Sequence, residues 1–262
     1  VENMPEEVAL RLVARGILPL CGVPEAMEAI TVAAMIGAAK AEAAPLLLPA
    51  DADVVGMTLS EGASKRALQA SGLAVPTSAQ VPEISLLGDA AEAIGFPVAL
   101  KGVGFAHKSE AAALALNLMS VDAVMAAAKA MPSDMFLVER MIGDVVAELL
   151  VGVVRDPAHG FVLTMAAGGV LTELLEDSVS LLVPADAASV EAALRRLKLF
   201  KVLAGYRGGP VADLAAIVDA ILAIQSYVIT HQPHEVEVNP LLCLQAGAVA
   251  ADALIIEGKS ND

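Results

Sequence analysis

The sequence predicts an α/β segment at the N-terminus, followed by a larger domain of the α+β class. Of the 262 residues, 57% are hydrophobic and 18% are charged, a balance that allows a substantial core. Near the N-terminus, two segments with apolar residues at helical spacing lie on either side of a short apolar run. In the second half, several apolar runs follow one another without helices between them, which favours a mixed or antiparallel sheet with helices on one side.

The N-terminal segment is predicted to be a small α/β unit that ends in a linker. Residues Pro5–Arg15 and Pro24–Lys40 have helical spacing, and the apolar run Ile17–Cys21 between them is typical of a short strand. Two prolines flank a short apolar run within Ala43–Asp51, which favours a linker. We therefore expect a boundary near residue 51.

The later elements are predicted from caps, apolar runs and helical spacing. Ser60 is a predicted N-cap, and the helix that it begins ends at Gly72. Strands are predicted at Leu73–Pro76 (an edge strand), Phe96–Lys101, Met135–Met141, Ala147–Arg155, Phe161–Ala167 and Leu241–Leu244. Further helices are predicted at Ser85–Gly95, Ala187–Lys198 and Val211–Thr230.

The charge balance excludes several classes of partner. The chain has 16 Lys and Arg against 31 Asp and Glu, a formal net charge of −15, and no basic run, so we expect neither nucleic acid nor membrane as a partner. No charge-free stretch of about 18 apolar residues is present. The acidic start Val1–Met4 lacks the apolar region of a signal peptide. Cys21 and Cys243 lie in apolar stretches and fit reduced thiols, so we expect a cytoplasmic protein.

The segment after the predicted strand Phe96–Lys101 has the composition of a phosphate-binding loop. The strand ends at Lys101, glycines at 102 and 104 allow close backbone approach, and His107 and Lys108 follow. Two cations and an imidazole beside flexible backbone suit a polyphosphate. The spacing alone leaves a solvated turn open, because the full P-loop pattern is absent.

Two carboxylates lie on or beside strands that are otherwise rich in Val and Leu, namely Glu139 and Glu148. A carboxylate beside an apolar sheet is unfavourable unless it meets donors. We therefore expect these side chains to face a polar ligand or a basic neighbour. Outward-facing alternation on a half-exposed strand is the open alternative.

A third group of polar residues suggests a metal site near the C-terminus. Strand alternation places Glu235, Glu237 and Asn239 on one face, and a hairpin can bring Asp252 alongside them. Hard oxygen ligands on adjacent strands suit Mg²⁺, whose octahedron substrate phosphates and water complete. A polar sheet face without a metal remains the alternative.

Six motifs, taken in order along the chain, resemble those of a known family. They are Val98–Lys101, His107–Ser109, Arg155–Pro157, Gly168–Gly169 with Glu173 and Asp177, Gly205–Gly208, and Glu237–Pro240 with Asp252. The chain resembles the ATP-grasp part of ADP-forming acyl-CoA (acetyl-CoA) synthetases, relatives of the nucleotide-binding subunit of succinyl-CoA synthetase. The resemblance runs from about Thr58 to Glu257.

The resemblance implies an ATP-grasp fold with two lobes, residues 51–130 and 131–262. Residues 1–50 are similar to the end of a CoA-ligase-like α/β domain, which implies a fragment of a longer chain. The implied activity is that of an acid–thiol ligase, which interconverts a carboxylic acid, CoA and ATP with acyl-CoA, ADP and phosphate through phosphohistidine.

The resemblance also implies roles for individual residues, with ATP and Mg²⁺ as cofactors. The nucleotide-binding residues would be Lys101 at the phosphates, Glu139 and the backbone to Met141 at the adenine hinge, and Glu148 near the ribose. The metal ligands would be Asn239 and Asp252, with help from Glu237. His107 matches the phosphate-carrying histidine.

Two departures from the family pattern bear on catalysis. Alanines occupy positions 111–113, where the family usually has glycines, and Leu254 follows the metal aspartate by two residues, where a cation is common. The alanines stiffen the loop that carries His107. The leucine removes a phosphate contact, so the departures bear more on catalysis than on nucleotide binding.

Two other functions are alternatives to the synthetase. A nucleotide- or acyl-CoA-sensing module of a fused acetyltransferase is favoured by the departures, whereas His107 favours the enzyme. An ATP-grasp carboxylate–amine ligase is disfavoured, because such enzymes need no carrier histidine. For the synthetase, CoA and the acid would bind through missing domains, with the CoA-ligase-like domain in cis or in trans. Homo-oligomerisation is left open.

Overall fold

The structure is a computed structural model that describes residues 4–20, 22–38, 47–48, 55–104, 113–168 and 177–258. The chain divides into two units, Val1–Ala44 and Pro45–Asp262. The first unit contains helices α1 (Glu6–Val13) and α2 (Val23–Ala38). The second contains α3 (Glu61–Ala70), α4 (Leu87–Ile94), α5 (Val121–Ala130), α6 (Ala187–Leu194), α7 (Phe200–Leu203) and α8 (Leu214–His231).

The strands of the second unit form two sheets. They are β1 (Val55–Thr58), β2 (Ser78–Val81), β3 (Val98–Gly102), β4 (Leu114–Leu118), β5 (Phe136–Arg140), β6 (Val145–Asp156), β7 (Gly160–Ala167), β8 (Ser178–Leu182), β9 (Glu235–Leu244), β10 (Ala248–Ala250) and β11 (Ala253–Gly258). A seven-stranded sheet has the order β1-β11-β9-β6-β7-β8 with β10 beside β9, and a four-stranded sheet has the order β2-β5-β3-β4. All of these strand pairs are antiparallel, which confirms the predicted α+β character.

The N-terminal unit contains the two predicted helices without the predicted strand between them. Helix α1 carries Glu6 and Glu7 in its first turn, where negative charge is favourable. Ile17–Leu20 adopt no regular structure, and Cys21 lies outside the described residues. A strand is stabilised by pairing with a neighbour, and the described part of this unit contains no other strand. The strand prediction is therefore wrong for Ile17–Leu20.

Helix α8 lies in the core beneath the seven-stranded sheet. Asp213 caps it by accepting a hydrogen bond from the Ala216 amide at 3.1 Å. In the described part of the chain, it is the one helix with the length and composition to cross a membrane. Its buried positions recur at helical spacing, for example Ile217, Ile221 and Ile224, and they belong to the core cluster of the large sheet. The structure thus buries α8 as a core helix.

Helices α4 and α5 cover the four-stranded sheet with a separate core. Leu87 of α4 and Val124 of α5 are fully buried with Leu100 of β3 and Phe136 of β5. Helix α5 begins at the Ser120 cap, whose side chain accepts a hydrogen bond from the Ala123 amide. This packing fixes β3 and β5, which carry two of the predicted site residues.

One predicted strand differs in position from the structure. Leu73–Pro76 forms a connection rather than an edge strand, and the strand begins later, at Ser78. Only the Ala74 carbonyl accepts a backbone hydrogen bond there, from Ala250, and Pro76 has no N–H to donate. The boundary between lobes at 130/131 stays a prediction; the strands change sheet later, after Arg140.

Candidate functional site

The penultimate residue of strand β3 is a lysine that is almost completely buried. Lys101 is 7% exposed and lies opposite Leu137 of β5. Its ammonium contacts Glu61 Oε1 at 2.5 Å, Glu139 Oε2 at 2.7 Å and the Ala251 carbonyl at 2.8 Å. Burial alone would lower the pKa of Lys101, but Glu61, Glu139 and Asp252 together raise this pKa above its ordinary value. Lys101 therefore remains a cation despite its burial.

Glu139 of β5 is the most deeply buried carboxylate of this cluster, at 2% exposed. Its two oxygens contact the ammonium groups of Lys65 and Lys101. The expectation that Glu139 meets a basic neighbour is confirmed, and outward-facing alternation is wrong for this residue. Glu148 of β6, in contrast, is exposed.

Helix α3 supplies the second lysine and a second carboxylate. The Ser60 side chain caps the helix by accepting a hydrogen bond from the Ala63 amide at 3.4 Å. Glu61 follows in the first turn, and Lys65 lies one turn further along the same face, with 2.6 Å between Lys65 Nζ and Glu61 Oε1. Lys65 also donates to the Ala251 carbonyl at 3.0 Å and is 3% exposed. The sheets and α3 thus meet at a buried cluster of four charges.

The predicted metal ligands lie together beside this cluster. Glu235, Glu237 and Asn239 alternate with buried residues along β9. Strand β11 pairs with β9 so that Ala253 lies opposite Val238, and this hairpin brings Asp252 alongside. The predicted shared face and the predicted hairpin are both present.

The side chains Glu237, Asn239 and Asp252 offer oxygen donors to a metal ion. Burial raises the pKa of Glu237, the nearby Glu235 and Asp252 add to this rise, and a hydrogen bond with Asn239 opposes it. Within the described residues, no group of three or more His, Cys, Asp or Glu side chains is arranged to hold a metal. Two carboxylates and one amide oxygen nevertheless suit Mg²⁺, which is bound through few protein oxygens with phosphates and water. The residues present therefore fit Mg²⁺ with a bound nucleotide.

Two cavities border this group. The larger, of about 960 Å³, extends from the N-terminus of α3 past Gly104 to Leu254. The smaller, of about 340 Å³, is lined by Leu116, Met141 and Leu242 and by several polar side chains. Both cavities are lined by Lys101, Asn239 and Asp252. These three side chains form a shared wall.

The smaller cavity also contains the residues predicted for the nucleotide base and ribose. Glu139, Met141 and Glu148 all line it. The Met141 amide donates to the Pro97 carbonyl at 3.0 Å, so this N–H is already used within the protein. Met141 is left with its carbonyl and its side chain for contacts with a ligand.

Several predicted residues lie outside the described part of the chain. They are His107, Lys108, Ala111, Ala112, Gly169 and Glu173. Gly104, the last described residue before His107, has a φ of +100° and nothing within 4 Å of the position that a Cβ would take. It lies at the larger cavity, as does Leu254, the departure noted in the sequence.

Comparison with known proteins decides the family. A family model described as an ATP-grasp domain matches residues 54–256. The chain belongs to the ATP-grasp domain family. The predicted ATP-grasp fold is therefore confirmed, and the shared wall lies within the matched residues.

The relatives of this ATP-grasp chain are CoA ligases. It is 35% identical over 230 residues to a trans-feruloyl-CoA synthase of an unknown prokaryotic organism, covering 81% of this chain and 32% of that protein. It is 29% identical over 209 residues to the ADP-forming acetate–CoA ligase II subunit beta of Pyrococcus furiosus, covering 74% of this chain and 89% of the subunit. The chain thus spans about a third of the first relative and most of the second.

Solved structures agree with this assignment. Acetyl-coenzyme A synthetase 1 of Ca. Korarchaeum cryptofilum, in complex with coenzyme A and Ca-AMPCP, matches with a TM-score of 0.71 and 26% identity, over 76% of this chain and 93% of that chain. The same enzyme with coenzyme A and Mg-AMPPCP matches with a TM-score of 0.68 and 28% identity, over 76% of this chain and 92% of that chain. In sequence and in structure, this ATP-grasp chain is thus similar to ADP-forming CoA ligases and acetyl-coenzyme A synthetases.

Sequence analysis missed two residues of the buried cluster in this ATP-grasp chain, Glu61 and Lys65. A Glu–Lys pair four residues apart after an N-cap is typical of an exposed helix face, so the spacing gave no reason to place it in a site. A usable signal was available: Glu139, a carboxylate within an apolar strand, needs a cation. That need does not identify which cation, because Lys65 is distant from Glu139 in sequence.

Proposed function

We propose that this ATP-grasp chain is the nucleotide-binding and phosphoryl-transferring part of an ADP-forming acyl-CoA synthetase. The overall reaction interconverts a carboxylic acid, CoA and ATP with acyl-CoA, ADP and phosphate. The observation that carries the proposal is the shared wall: a cation and two oxygen ligands, Lys101, Asn239 and Asp252, line both cavities. Such a wall can hold a triphosphate whose base lies on one side and whose acceptor approaches from the other.

The smaller cavity is suited to the nucleoside. Leu116 and Leu242 offer apolar surfaces to a base, and the Met141 carbonyl can accept a hydrogen bond from an amino group. The exposed carboxylate of Glu148 can accept hydrogen bonds from ribose hydroxyls. Lys101 then meets the phosphates at the shared wall, where a charge-assisted hydrogen bond is strong.

Asn239 and Asp252 would hold Mg²⁺, with Glu237 assisting. Mg²⁺ held by these residues would supply positive charge that neutralises the charge developing on the phosphates during transfer. The side chains of this chain orient the phosphates: Lys101 from β3, and Asn239 and Asp252 from the hairpin of β9 and β11. Their fixed positions supply the alignment on which phosphoryl transfer depends.

His107 is the proposed phosphoryl acceptor, on the basis of the family resemblance. One imidazole nitrogen forms a bond to the γ-phosphorus, the bond from phosphorus to the β,γ-bridging oxygen breaks, and ADP leaves with that electron pair. Gly104, close before His107 in sequence, lies at the larger cavity, which supports an approach from that side.

The remaining chemistry is assigned to other protein parts. This chain spans about a third of the trans-feruloyl-CoA synthase. The Pyrococcus furiosus protein that it covers is named as subunit beta of a ligase. We therefore propose that CoA and the acid bind through a CoA-ligase-like domain, in cis or in trans. The cytoplasm remains the proposed compartment.

The proposal is tested with the purified chain, ATP labelled at the γ-phosphate and Mg²⁺. We expect nucleotide binding by calorimetry and acid-labile label on the protein, but no acyl-CoA when CoA and short-chain or aromatic acids are added. Absence of nucleotide binding would contradict the proposal, and so would acyl-CoA formed by this chain alone. Binding without any label would favour the sensing module, for which Leu254 at the larger cavity is the supporting observation.

A further inference from the structure

The two buried lysines of the cluster share the same three acceptors. Lys65 Nζ contacts Glu61 Oε1 at 2.6 Å and the Ala251 carbonyl at 3.0 Å, and it also contacts Glu139 Oε1. Lys101 Nζ contacts the same Glu61 oxygen at 2.5 Å, the same carbonyl at 2.8 Å and the second oxygen of Glu139 at 2.7 Å. The two ammonium groups are therefore alternative partners of one acceptor set.

This sharing saturates both ammonium groups. An ammonium has three N–H donors, and each lysine has three protein acceptors within hydrogen-bond distance. In this arrangement, the Lys101 ammonium consequently has no N–H donor left for a phosphate. It must give up at least one of the three acceptors before it can bind a nucleotide phosphate.

If Lys101 releases a carboxylate of the cluster, the change is unfavourable unless another cation stays in contact with that carboxylate. Glu139 is 2% exposed, and a buried carboxylate that loses its cation is strongly destabilising. Lys65 is 3% exposed and contacts the same three groups, Glu61 and the Ala251 carbonyl through the same oxygens and Glu139 through its other oxygen. When Lys101 turns toward a phosphate, Lys65 keeps the two carboxylates neutralised.

The two lysines differ in what they can reach. Lys101 lies at the shared wall and lines both cavities, whereas the lining residues of the described cavities do not include Lys65. Lys101 can therefore exchange a protein acceptor for a ligand, and Lys65 is retained by the protein.

We propose that Lys65 is a positioning residue, which holds Glu61, Glu139 and the Ala251 carbonyl while Lys101 exchanges one of these acceptors for a nucleotide phosphate. The proposal rests on the proposed function in one respect, the binding of phosphate by Lys101. It assigns Lys65 no contact with the nucleotide. Among the described residues, loss of Lys65 would leave Lys101 as the one cation in contact with Glu61 and Glu139 and hold it on these carboxylates.

The first test measures the affinity of the full chain for Mg·AMPPNP, a non-hydrolysable triphosphate, and for adenosine, by competition with a fluorescent nucleotide. In Lys65→Met, we expect triphosphate affinity to fall about tenfold or more, because one charge-assisted hydrogen bond is lost. Adenosine affinity should be unchanged, since adenosine has no phosphate. An unchanged triphosphate affinity, or an equal loss for both ligands, would overturn the proposal.

The second test removes one of the shared carboxylates. Glu61→Gln leaves two lysines with one carboxylate, so Lys101 is held less strongly and triphosphate affinity should rise above that of the parent. In Lys65→Met/Glu61→Gln, affinity should recover most of the loss caused by Lys65→Met alone. A purely structural role for Lys65 predicts the opposite, a further loss in the double variant. If Lys65→Met does not fold, the direction of the change in Glu61→Gln decides.

The tests separate this proposal from the proposed function. Lys101→Met should weaken triphosphate binding and leave adenosine binding unchanged. If Lys101→Met has no effect on triphosphate affinity, Lys101 does not bind phosphate and the proposed function is contradicted. If Lys101→Met weakens triphosphate binding but Lys65→Met does not, the proposed function stands and the role of Lys65 is overturned. Thermal unfolding of each variant confirms that the protein compared is folded.

Discussion

The Ala251 amide donates a hydrogen bond to the Pro240 carbonyl at 3.0 Å, and Pro240 has no N–H with which to return it. On either side of this point the ladder is regular: β10 pairs with β9 up to Leu241, and β11 pairs with β9 from Val238. The Ala251 carbonyl is thereby left without its partner in the sheet and accepts from Lys65 and Lys101 instead. A proline within a strand has created the acceptor around which both lysines gather.

Replacement of Lys101 by alanine should weaken the binding of Mg·ATP by about tenfold or more, since a charge-assisted hydrogen bond contributes roughly 1.5–3 kcal/mol. Isothermal titration calorimetry measures the change. Lys129→Ala is the matched control, because Lys129 is an exposed lysine of α5 and its loss should leave affinity unchanged. Equal affinities for parent and Lys101→Ala would refute phosphate binding by this lysine.

Asn239→Ala and Asp252→Ala should each raise the Mg²⁺ concentration required for nucleotide binding severalfold. Mg²⁺ is held by few protein oxygens, so each one that is lost transfers a coordination site to water. Titration of Mg²⁺ at fixed ATP measures the midpoint. Asp219→Ala, an exposed aspartate of α8, serves as the control. The ligand assignment fails if the variants titrate like the parent.

Glu139→Gln should reduce the free energy of unfolding by about 3–5 kcal/mol, the range for breaking a buried ion pair. The substitution removes the carboxylate that lies between Lys65 and Lys101 and leaves their charges in the interior. Urea denaturation followed by circular dichroism gives the change. Glu92→Gln, on the exposed side of α4, should change stability by less than about 0.5 kcal/mol. Similar losses in both variants would show that Glu139 has no special role.

His107→Asn should retain nucleotide binding and lose covalent labelling, because asparagine keeps part of the hydrogen-bonding capacity of the ring without its nucleophilic nitrogen. The readout is label from γ-labelled ATP that stays on the denatured protein. His159→Asn is the control, since this imidazole is 65% exposed and pairs with Asp156 in a turn. Label that persists in His107→Asn would exclude this histidine as the carrier.

The contribution of Cys243 to stability should be complete below about pH 9 and should decline above it. Burial and the nearby Glu148 raise the pKa of its thiol to about 12, against 9.0 for a free thiol. The folded state therefore holds this proton more tightly, and the contribution to stability is lost as the pH rises from 9.0 toward 12. The difference in unfolding free energy between the parent and Cys243→Ala should narrow across this interval. A difference that is constant with pH would contradict the assignment.

Local patterns predicted the parts of the site that lie on single strands or on one hairpin. The alternation of Glu235, Glu237 and Asn239 has a period of two residues, and the hairpin to Asp252 needs only a short connection, so both follow from neighbouring sequence. The position of Lys101 close to the end of β3 was predictable for the same reason.

Contacts between distant segments were not predictable from such patterns. Ile17–Leu20 has the composition of a strand, yet no described partner strand in its unit completes a ladder. Leu73–Pro76 is apolar because it packs against the core, and apolar composition does not separate a strand from a buried connection. Lys65 reaches Glu139 only after α3 has packed against both sheets, and nothing local to either residue indicates this contact.

The shared wall makes the two cavities thermodynamically linked. A ligand in the larger cavity that binds Lys101, Asn239 or Asp252 changes the charge and the hydrogen-bond donors that these residues present to the smaller cavity, where we propose that the nucleoside binds. Reciprocity then requires the nucleotide to change the affinity of that ligand by the same factor. Oxyanions that occupy the larger cavity should therefore act as heterotropic effectors of nucleotide binding, and their measured dissociation constants will depend on how much nucleotide is present.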